Sequence, residues 1–265
     1  MLGAIAGDII GSTHEWARTK TKDFPLFAVG STFTDDTVMT VAVAQCLLDG
    51  LDYVDAFHRY FDTFPNAGYG GMFLRWAARK RREPYNSFGN GSAMRVSPIA
   101  WALPSLEEAL TEAGRCAAVT HDHPEGIKGA EAVVAAVFLA RQGETKATIG
   151  RFVSDRFGYD LSAQLDDIRP AYDFDGSCQG SVPQAIIAFL ESTGYEDAVR
   201  NAVSLGGDAD TLACIAGAIA EAHYGSVPAP IETRSLAVLD SSLTVTVKRF
   251  RERYCTGAIE LPRIA

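Results

Sequence analysis

Apolar residues recur at helical spacing along most of the chain, and short polar or glycine-containing stretches separate the segments that carry them. A repeat of apolar positions every three to four residues predicts an amphipathic or buried helix. One of these segments ends at Asp49-Gly50, where a glycine suits a helix C-terminus. The predicted helices span residues 2–11, 34–48, 52–62, 71–82, 105–119, 127–140, 182–192, 195–204 and 243–254, with a further helix inside 206–225.

The fold class follows from this pattern. The tail segment alternates briefly like a strand, but the spacing of Leu243, Val247, Phe250 and Tyr254 favours a helix. Residues 143–180 are the most polar part of the chain, and we expect a loop and a short helix from Ser162 onward. Since no strand is predicted with consistency and no linker or internal repeat is present, we predict an all-α protein: a single compact multi-helix domain over residues 1–265.

One predicted helix is apolar on every side, which is typical of a helix in the middle of a core. It lies within 206–225 and begins with Asp208, Asp210 and Thr211. Helix capping is the simplest interpretation, because Asp and Thr are favoured at helix N-termini. A buried carboxylate must otherwise be paired, protonated or bound to a metal. The sequence carries no lysine or arginine between Arg200 and Arg234 that could neutralise this cluster locally.

A second cluster of the same kind lies far upstream. Thr34, Asp35, Asp36 and Thr37 again precede an apolar helical run. Carboxylate, hydroxyl and water oxygens are the ligands that Mg²⁺ and Mn²⁺ prefer. Taken together, the two clusters predict one site for hard cations, and the number of oxygen ligands suits two ions better than one.

Near the N-terminus, Gly3, Gly7 and Gly11 form one stripe of a predicted helix, which would let another backbone approach closely. Asp8 lies within this run, and we expect it to satisfy a neighbouring helix end. Glu15 follows the helix. Considered alone it is an ordinary surface residue, but beside the acidic clusters it becomes a candidate metal ligand or base.

The middle of the chain holds a second informative region. The run Arg79 to Arg82 would end a helix, where basic residues complement the helix dipole; steering of an anionic substrate is the alternative. The polar loop at residues 87–92 could bind phosphate through free N–H groups, although it is not a Walker loop. His58 is expected on a helix surface. For His121 and His123, ligand contact and helix capping are both open.

Composition narrows the class of protein. The net charge of −9 argues against a general nucleic-acid binder, which would need a basic surface. Five cysteines without a CxxC pair predict reduced thiols and a cytoplasmic location. The apolar N-terminus has no basic region and is interrupted by Asp8, so it reads as neither a signal peptide nor a membrane span, and no membrane partner is expected.

Five motifs, in order along the chain, resemble those of the ADP-ribosylglycohydrolases, a family that includes the hydrolase reactivating ADP-ribosylated dinitrogenase reductase and the vertebrate ADP-ribosyl-arginine and ADP-ribosyl-serine hydrolases. The segment Cys178–Ser192 is similar to bacterial members in particular. The resemblance covers nearly the whole chain. The motifs are GDxxGS…E (Gly7 to Glu15), TDDT (Thr34 to Thr37), GNGSAMR (Gly89 to Arg95), TH (Thr120, His121) and GGDADT (Gly206 to Thr211).

The resemblance implies a compact all-α fold with two Mg²⁺ (or Mn²⁺) ions at the base of a cleft. By position, the implied metal ligands are Thr34, Asp35, Asp36, Asp208, Asp210 and Thr211. Glu15 matches an acidic residue on a flap near the metals. The implied substrate-binding residues are Ser87, Phe88, Gly89, Asn90, Gly91, Ser92 and His121. Phe88 stands where a relative has Tyr, so ring stacking remains and a hydroxyl contact is missing.

The implied function is metal-assisted hydrolysis of the bond between ADP-ribose and an acceptor such as an arginine or serine side chain, with Asp35, Asp36 or Glu15 as the catalytic carboxylate. The partners would be an ADP-ribosylated protein or small molecule, and ADP-ribose as product. Two alternatives remain. One is a two-metal hydrolase of free ADP-ribose derivatives, nucleotides or ADP-ribosylated nucleic acid. The other is a non-catalytic ADP-ribose binder, although all six implied ligands are present.

Overall fold

The structure is a computed structural model that describes residues 1–255, so the last ten residues of the predicted domain lie outside the described part. These 255 residues form fourteen α-helices and a 3-10 turn at Asn90–Ser92, and they contain no strand beyond one isolated bridge between Gly89 and Ser177. The all-α prediction is confirmed. The helices are α1 Leu2–Gly11, α2 Asp35–Asp49, α3 Tyr53–Thr63, α4 Gly71–Ala78, α5 Ser97–Ala102, α6 Leu106–Ala118, α7 Pro124–Arg141, α8 Lys146–Phe157, α9 Leu165–Ile168, α10 Cys178–Leu190, α11 Tyr195–Val203, α12 Ala209–Tyr224, α13 Ala229–Val238 and α14 Ser241–Tyr254.

Helix α12 lies at the centre of the molecule. Its residues from Ala209 to Ala222 are all buried, as its apolar composition predicts. It packs against α1, α7, α10 and α11, while α2 packs against α1, α3, α5 and α14 on one side of this core. A helix that is apolar on every side can bury all of its faces only in such a position. The N-terminus of α12 therefore opens inside the protein and not at its surface.

The closest helix contact joins α1 to α12 through the predicted glycine stripe. A Cβ atom added at Gly7 would lie 2.0 Å from the backbone oxygen of Ala213, and one at Gly11 would lie 2.4 Å from that of Ala209. A Cβ at Gly3 would meet the oxygen of Gly217 at 2.3 Å. Only glycine permits this approach. The approach brings the end of α1, and with it Asp8 and Glu15, next to the start of α12.

Several sequence predictions need correction. His58 is buried and not on the surface: its ring stacks on Trp76 at 4.2 Å between centroids, and its Nε2 lies 2.8 Å from the backbone oxygen of Arg81. The fourth predicted helix ends at Ala78 and not at residue 82. Helices α5, α8 and α13 were not anticipated. Helix α8 has only three buried residues, Ile149, Val153 and Phe157, too weak a stripe to stand out in a polar segment.

Two further findings concern the whole of residues 1–255. All five cysteines are unpaired, and four of them are buried. In this part of the chain, each helix is either too short or too polar to cross a lipid bilayer.

We expect the substitution Gly7→Ala to destabilise the protein strongly. The added methyl group would collide with the main chain of α12, which cannot rotate away as a side chain could, and overpacking of this kind costs about 1–3 kcal/mol or more. Chemical denaturation would measure the loss. The control is Gly194→Ala, because a Cβ there has nothing within 4 Å. Equal stability of the two variants would contradict the close contact between α1 and α12.

Candidate active site

The N-terminus of α2 is held in place by Asp8, as the sequence suggested. The Asp8 carboxylate accepts hydrogen bonds from the backbone N–H of Thr34 at 3.0 Å and of Thr37 at 3.1 Å. It also accepts from the Thr34 hydroxyl at 2.7 Å and from the Thr37 hydroxyl. Four donors thus converge on one buried carboxylate in α1. Because Asp35 and Asp36 lie between these two threonines, Asp8 fixes the position of the upstream acidic cluster.

The two acidic clusters meet at the start of α12. The hydroxyl of Thr211 lies 3.3 Å from Oδ2 of Asp36, a contact between residues 175 positions apart. Glu15, Asp208 and Asp210 each offer a carboxylate oxygen, and these oxygens lie within 4.8 Å of one another. The segment after α1, the start of α2 and the start of α12 therefore bring their carboxylates to one place.

This cluster carries negative charge that no basic side chain neutralises. Within residues 1–255, none of the carboxylates of Asp8, Glu15, Asp35, Asp36, Asp208 and Asp210 forms an ion pair with lysine or arginine. Burial, reinforced by the charge of Asp210, raises the pKa of Asp35, Asp36 and Asp208 well above the usual range. The same two causes raise the pKa of Asp8 and of Glu15 to about 7.

The donor set fits divalent cations. Oδ1 of Asp36 is buried and has no hydrogen-bond partner among the described residues. An unsatisfied carboxylate oxygen beside several other uncompensated carboxylates is very costly unless a proton or a cation is bound. Oxygen-only ligand sets of this kind suit Mg²⁺ or Mn²⁺. The observed chemistry thus agrees with the metal site predicted from the two clusters.

The glycine- and asparagine-containing loop forms the opposite wall and is tied to the acidic cluster. The side-chain amide of Asn90 donates to Oδ2 of Asp208 at 2.8 Å and to the hydroxyl of Ser181 at 3.0 Å. The backbone N–H of Asn90 donates to the oxygen of Gly176 at 2.8 Å, and that of Cys178 donates to the oxygen of Phe88 at 2.9 Å. The loop is therefore braced against the segment before α10, at a fixed distance from the carboxylates.

His121 faces the glycines of this loop, whereas His123 lies against the exposed ring of Phe88. Nδ1 of His121 lies 2.7 Å from the hydroxyl of Thr120, which also accepts a hydrogen bond from Arg95 at 2.9 Å. In the tautomer in which the threonine hydroxyl donates to Nδ1, Nε2 carries the ring proton and can donate to a ligand. Burial and the charge of Arg95 hold the pKa of His121 well below its usual value. His123 instead caps α7 by accepting from the N–H of Glu125.

These groups line one cleft of about 360 Å³. Of the fourteen residues predicted for the site, twelve line it and two do not. Phe88 is 49% exposed and lies beside His123, with ring centroids 5.4 Å apart. Ser92 is fully buried, and its hydroxyl donates to the backbone oxygen of Gly126 at 2.8 Å. The twelve that line the cleft are Glu15, Thr34, Asp35, Asp36, Ser87, Gly89, Asn90, Gly91, His121, Asp208, Asp210 and Thr211.

Comparison with known proteins decides the family. Residues 1–255 match the model of the family described as ADP-ribosylglycohydrolase. This chain belongs to the ADP-ribosylglycohydrolase family. The resemblance seen in the motifs is therefore confirmed, and the protein is an enzyme that hydrolyses glycosidic bonds to ADP-ribose. The hydrolases of this family are metal-dependent.

Individual relatives cover most of the chain. The human protein "ADP-ribosylhydrolase ARH3" is 28% identical over 312 aligned residues, which cover 87% of this chain and 85% of the relative. "ADP-ribosylarginine hydrolase Tri1" of Pseudomonas putida (strain GB-1) is 28% identical and is covered to 71%. A solved structure titled "ADP-ribosylglycohydrolase-related protein complex" has the same fold, with a TM-score of 0.68 at 24% identity over 95% of this chain and 96% of that one.

Sequence reasoning missed part of the wall of this ADP-ribosylglycohydrolase cleft. Phe174 and Gly176 come from the polar segment before α10, and Tyr85 and Met72 lie on the side of α4. The glycines at 68, 70 and 71 also line the cleft, and their density in the sequence was the one signal that could have pointed to it. The others have no local pattern, because long-range contacts bring them to the site.

The raised carboxyl pKa values predict how pH affects the metal-free protein. These groups hold protons in the folded state at a pH where the unfolded chain has lost them, since the ordinary pKa of an aspartate carboxyl is 3.8 and the pKa of folded Asp8 is about 7. Their contribution to stability is therefore present at low pH and lost as pH rises through 7. With chelator, we expect the melting temperature to fall by several degrees from pH 5 to pH 8.

Mg²⁺ should reverse this loss and should stabilise more at pH 8 than at pH 5, because it binds the ionised carboxylates. Thermal melting followed by circular dichroism would measure both trends. The variant Asp208→Asn should flatten the pH dependence. A melting temperature that rises with pH in chelator, or that ignores Mg²⁺ at pH 8, would contradict the cation site.

Proposed function

We propose that this enzyme releases ADP-ribose from a modified acceptor, and so reverses ADP-ribosylation, with Mg²⁺ or Mn²⁺ bound by the acidic cluster. The observation that carries the proposal is the meeting of three chain segments: uncompensated carboxylates on one wall face the 87–91 loop and His121 on the other. The names of the human and Pseudomonas relatives, which specify hydrolysis of ADP-ribosyl linkages, support it.

The proposed ligands divide between the two helix N-termini. Thr34, Asp35 and Asp36 would hold cations from α2, and Asp208, Asp210 and Thr211 from α12. We propose two ions, because six oxygen-bearing side chains exceed what one Mg²⁺ takes from protein in most sites. When bound, such ions would polarise a water and neutralise charge next to the ribose. Asp8 is not proposed as a ligand, since four hydrogen bonds from α2 occupy its carboxylate.

The opposite wall would bind the diphosphate. Ser87, Gly89 and Gly91 line the cleft along the loop, and Nε2 of His121 can donate to a phosphate oxygen. The Asn90 amide is engaged with Asp208 and Ser181, so we assign it to positioning the loop against the carboxylates and not to free ligand contact. We assign Ser92 to the same positioning role, because its buried hydroxyl donates to the backbone oxygen of Gly126. Phe88 is the exposed residue of this loop and does not line the cleft, so its ring would stack on the ligand only at the mouth of the cleft.

Bond cleavage would place positive charge on the ribose, as in other glycoside hydrolyses, and the nearby carboxylates would stabilise it. Asp35, Asp36 and Glu15 are the candidates for proton transfer. Glu15 differs from the two aspartates because it follows the end of α1, outside the helices that hold the clusters. Its pKa of about 7 suits a group that exchanges protons near neutral pH.

We expect Asp208→Ala to reduce metal-dependent ADP-ribose release by at least about a hundredfold, a typical effect of removing a group that orders charge in a transition state. The substitution also removes the acceptor of the Asn90 amide, which loosens the loop. Release would be measured by chromatography, with folding checked by circular dichroism. The matched control is Asp167→Ala in α9, an exposed aspartate outside the cleft. Unchanged turnover in Asp208→Ala would overturn the metal assignment.

A second test addresses the acceptor. We expect Mg²⁺-dependent release of ADP-ribose from a peptide modified at arginine or from one modified at serine, and no release with chelator from either. Preference for one peptide would identify the linkage. Free ADP-ribose is offered in parallel: its cleavage to AMP would instead indicate hydrolysis of a diphosphate. Binding of ADP-ribose without release from either peptide would contradict the proposed acceptors.

A further inference from the structure

A basic pocket lies beside the active-site cleft. It is formed by α4 and the segment that follows it, and the guanidinium groups of Arg75, Arg79 and Arg81 surround it. We call these three residues and the space between them the arginine pocket. Glu83 is the one acidic residue lining it. Three positive groups against one negative group give a local positive charge on a chain whose net charge is −9.

The structure divides the basic run Arg79 to Arg82 into two pairs. The side chain of Lys80 forms an ion pair with Asp62, and that of Arg82 forms ion pairs with Asp52 and Asp55. In contrast, the guanidinium groups of Arg75, Arg79 and Arg81 are exposed and have no carboxylate or hydrogen-bond partner among residues 1–255. Aspartates at the start of α3 and within it therefore neutralise the charges of Lys80 and Arg82, whereas the charges of Arg79 and Arg81 remain available to a ligand.

Contacts with the buried side chains of Trp76 and His58 fix the main chain of the arginine pocket. Buried Trp76 donates its indole N–H to the backbone oxygen of Glu83 at 3.0 Å, and its own backbone oxygen accepts from the N–H of Arg81 at 3.1 Å. His58 contacts the backbone oxygen of Arg81. Between them, Lys80 has a φ of 50°, a left-handed conformation that is uncommon for a residue other than glycine. Such conformations persist where surrounding contacts enforce them, often at binding sites.

The arginine pocket is continuous with the cleft. Tyr85 and Met72 line both. Tyr85 packs against His121 with ring centroids 5.7 Å apart, and it precedes the 87–91 loop by two residues. On the other side, Nη1 of Arg75 lies 3.5 Å from where a Cβ of Gly71 would stand, and Gly71 lines the cleft. A ligand whose diphosphate rests on the loop can therefore extend past Tyr85 into the pocket.

We propose that the arginine pocket is a second phosphate-binding subsite, which receives a phosphate monoester carried by the nucleotide half of the ligand. Guanidinium groups form paired, charge-assisted hydrogen bonds with phosphate oxygens. Complementation of the α4 dipole does not explain the arrangement, because that effect falls off within the last turn and Arg81 lies three residues beyond the helix end. The inference rests on the proposed binding of ADP-ribose in the cleft.

The experiment compares two ligands on the full chain with Mg²⁺ present: ADP-ribose, and ADP-ribose that carries a phosphate on the 2′-hydroxyl of its adenosine. Isothermal titration calorimetry gives each Kd. We expect the phosphorylated ligand to bind about tenfold more tightly, the contribution of one or two charge-assisted hydrogen bonds at a partly exposed site. Excess inorganic phosphate should remove this difference by competition, which separates a phosphate carried by the ligand from free phosphate that only shares the pocket.

The double variant Arg79→Gln/Arg81→Gln should abolish the tenfold difference while the Kd of ADP-ribose and the rate of its release stay unchanged. The matched control is Lys80→Gln/Arg82→Gln, which removes the same charge from the same four residues but from side chains paired on α3. The control should keep the difference. Equal affinity of the wild-type protein for the two ligands, or an equal loss in both variants, would overturn the subsite.

Failure of the proposed function would look different. It would appear as no binding of ADP-ribose by the wild-type protein, whatever the state of the arginine pocket. Inorganic phosphate alone would then still test the pocket: weaker phosphate binding by Arg79→Gln/Arg81→Gln than by Lys80→Gln/Arg82→Gln supports it, and equal binding overturns it.

Discussion

The structure depends on burying several carboxylates that have no basic partner among residues 1–255. Charges of one sign that converge inside a protein are tolerated only when hydrogen bonds, protons or cations stabilise them. Here Asp8 takes up four hydrogen bonds from the start of α2, whereas Asp36 keeps an oxygen without a partner. The first arrangement is structural and complete. The Asp36 carboxylate is only partly compensated, and its unpartnered oxygen is available to bind a cation.

The close packing of α1 on α12 serves this arrangement. With larger residues in place of Gly7 and Gly11, the two helices would separate, and Asp8 would move away from the start of α12 together with the helix end it holds. The contact between Thr211 and Asp36 would then be lost, because its two sides belong to α12 and α2. The distance between the backbones of α1 and α12 therefore determines how the proposed metal-binding side chains of α2 and α12 are arranged. Core packing and site chemistry cannot be changed independently in this fold.

The parts that could be read from the sequence are those with a local pattern. The glycine stripe, the buried α12 and both acidic clusters each lie within a short segment, and Asp8 could be assigned to a neighbouring helix end. The missed parts depend on pairing across the fold. Phe174 reaches the cleft because hydrogen bonds from Asn90 to Gly176 and from Cys178 to Phe88 join two distant loops. His58 is buried because Trp76 stacks on it. No periodicity records such contacts, so neither the place of Phe174 in the cleft wall nor the true place of His58 could be predicted.

The basic run after α4 shows the same limit in charge patterning. Four consecutive basic residues look equivalent in the sequence, yet the left-handed turn at Lys80 places alternate side chains in different surroundings. Two are neutralised by aspartates of α3, and two remain beside the cleft. The cleft consequently has an acidic end, whose charge changes with protons and cations, and a permanently positive pocket at the other side. The acidic end repels an anionic ligand until cations bind, whereas the proposed subsite attracts only a phosphate that the nucleotide half carries into it. For a ligand with that additional phosphate, the two ends therefore favour one orientation in the cleft.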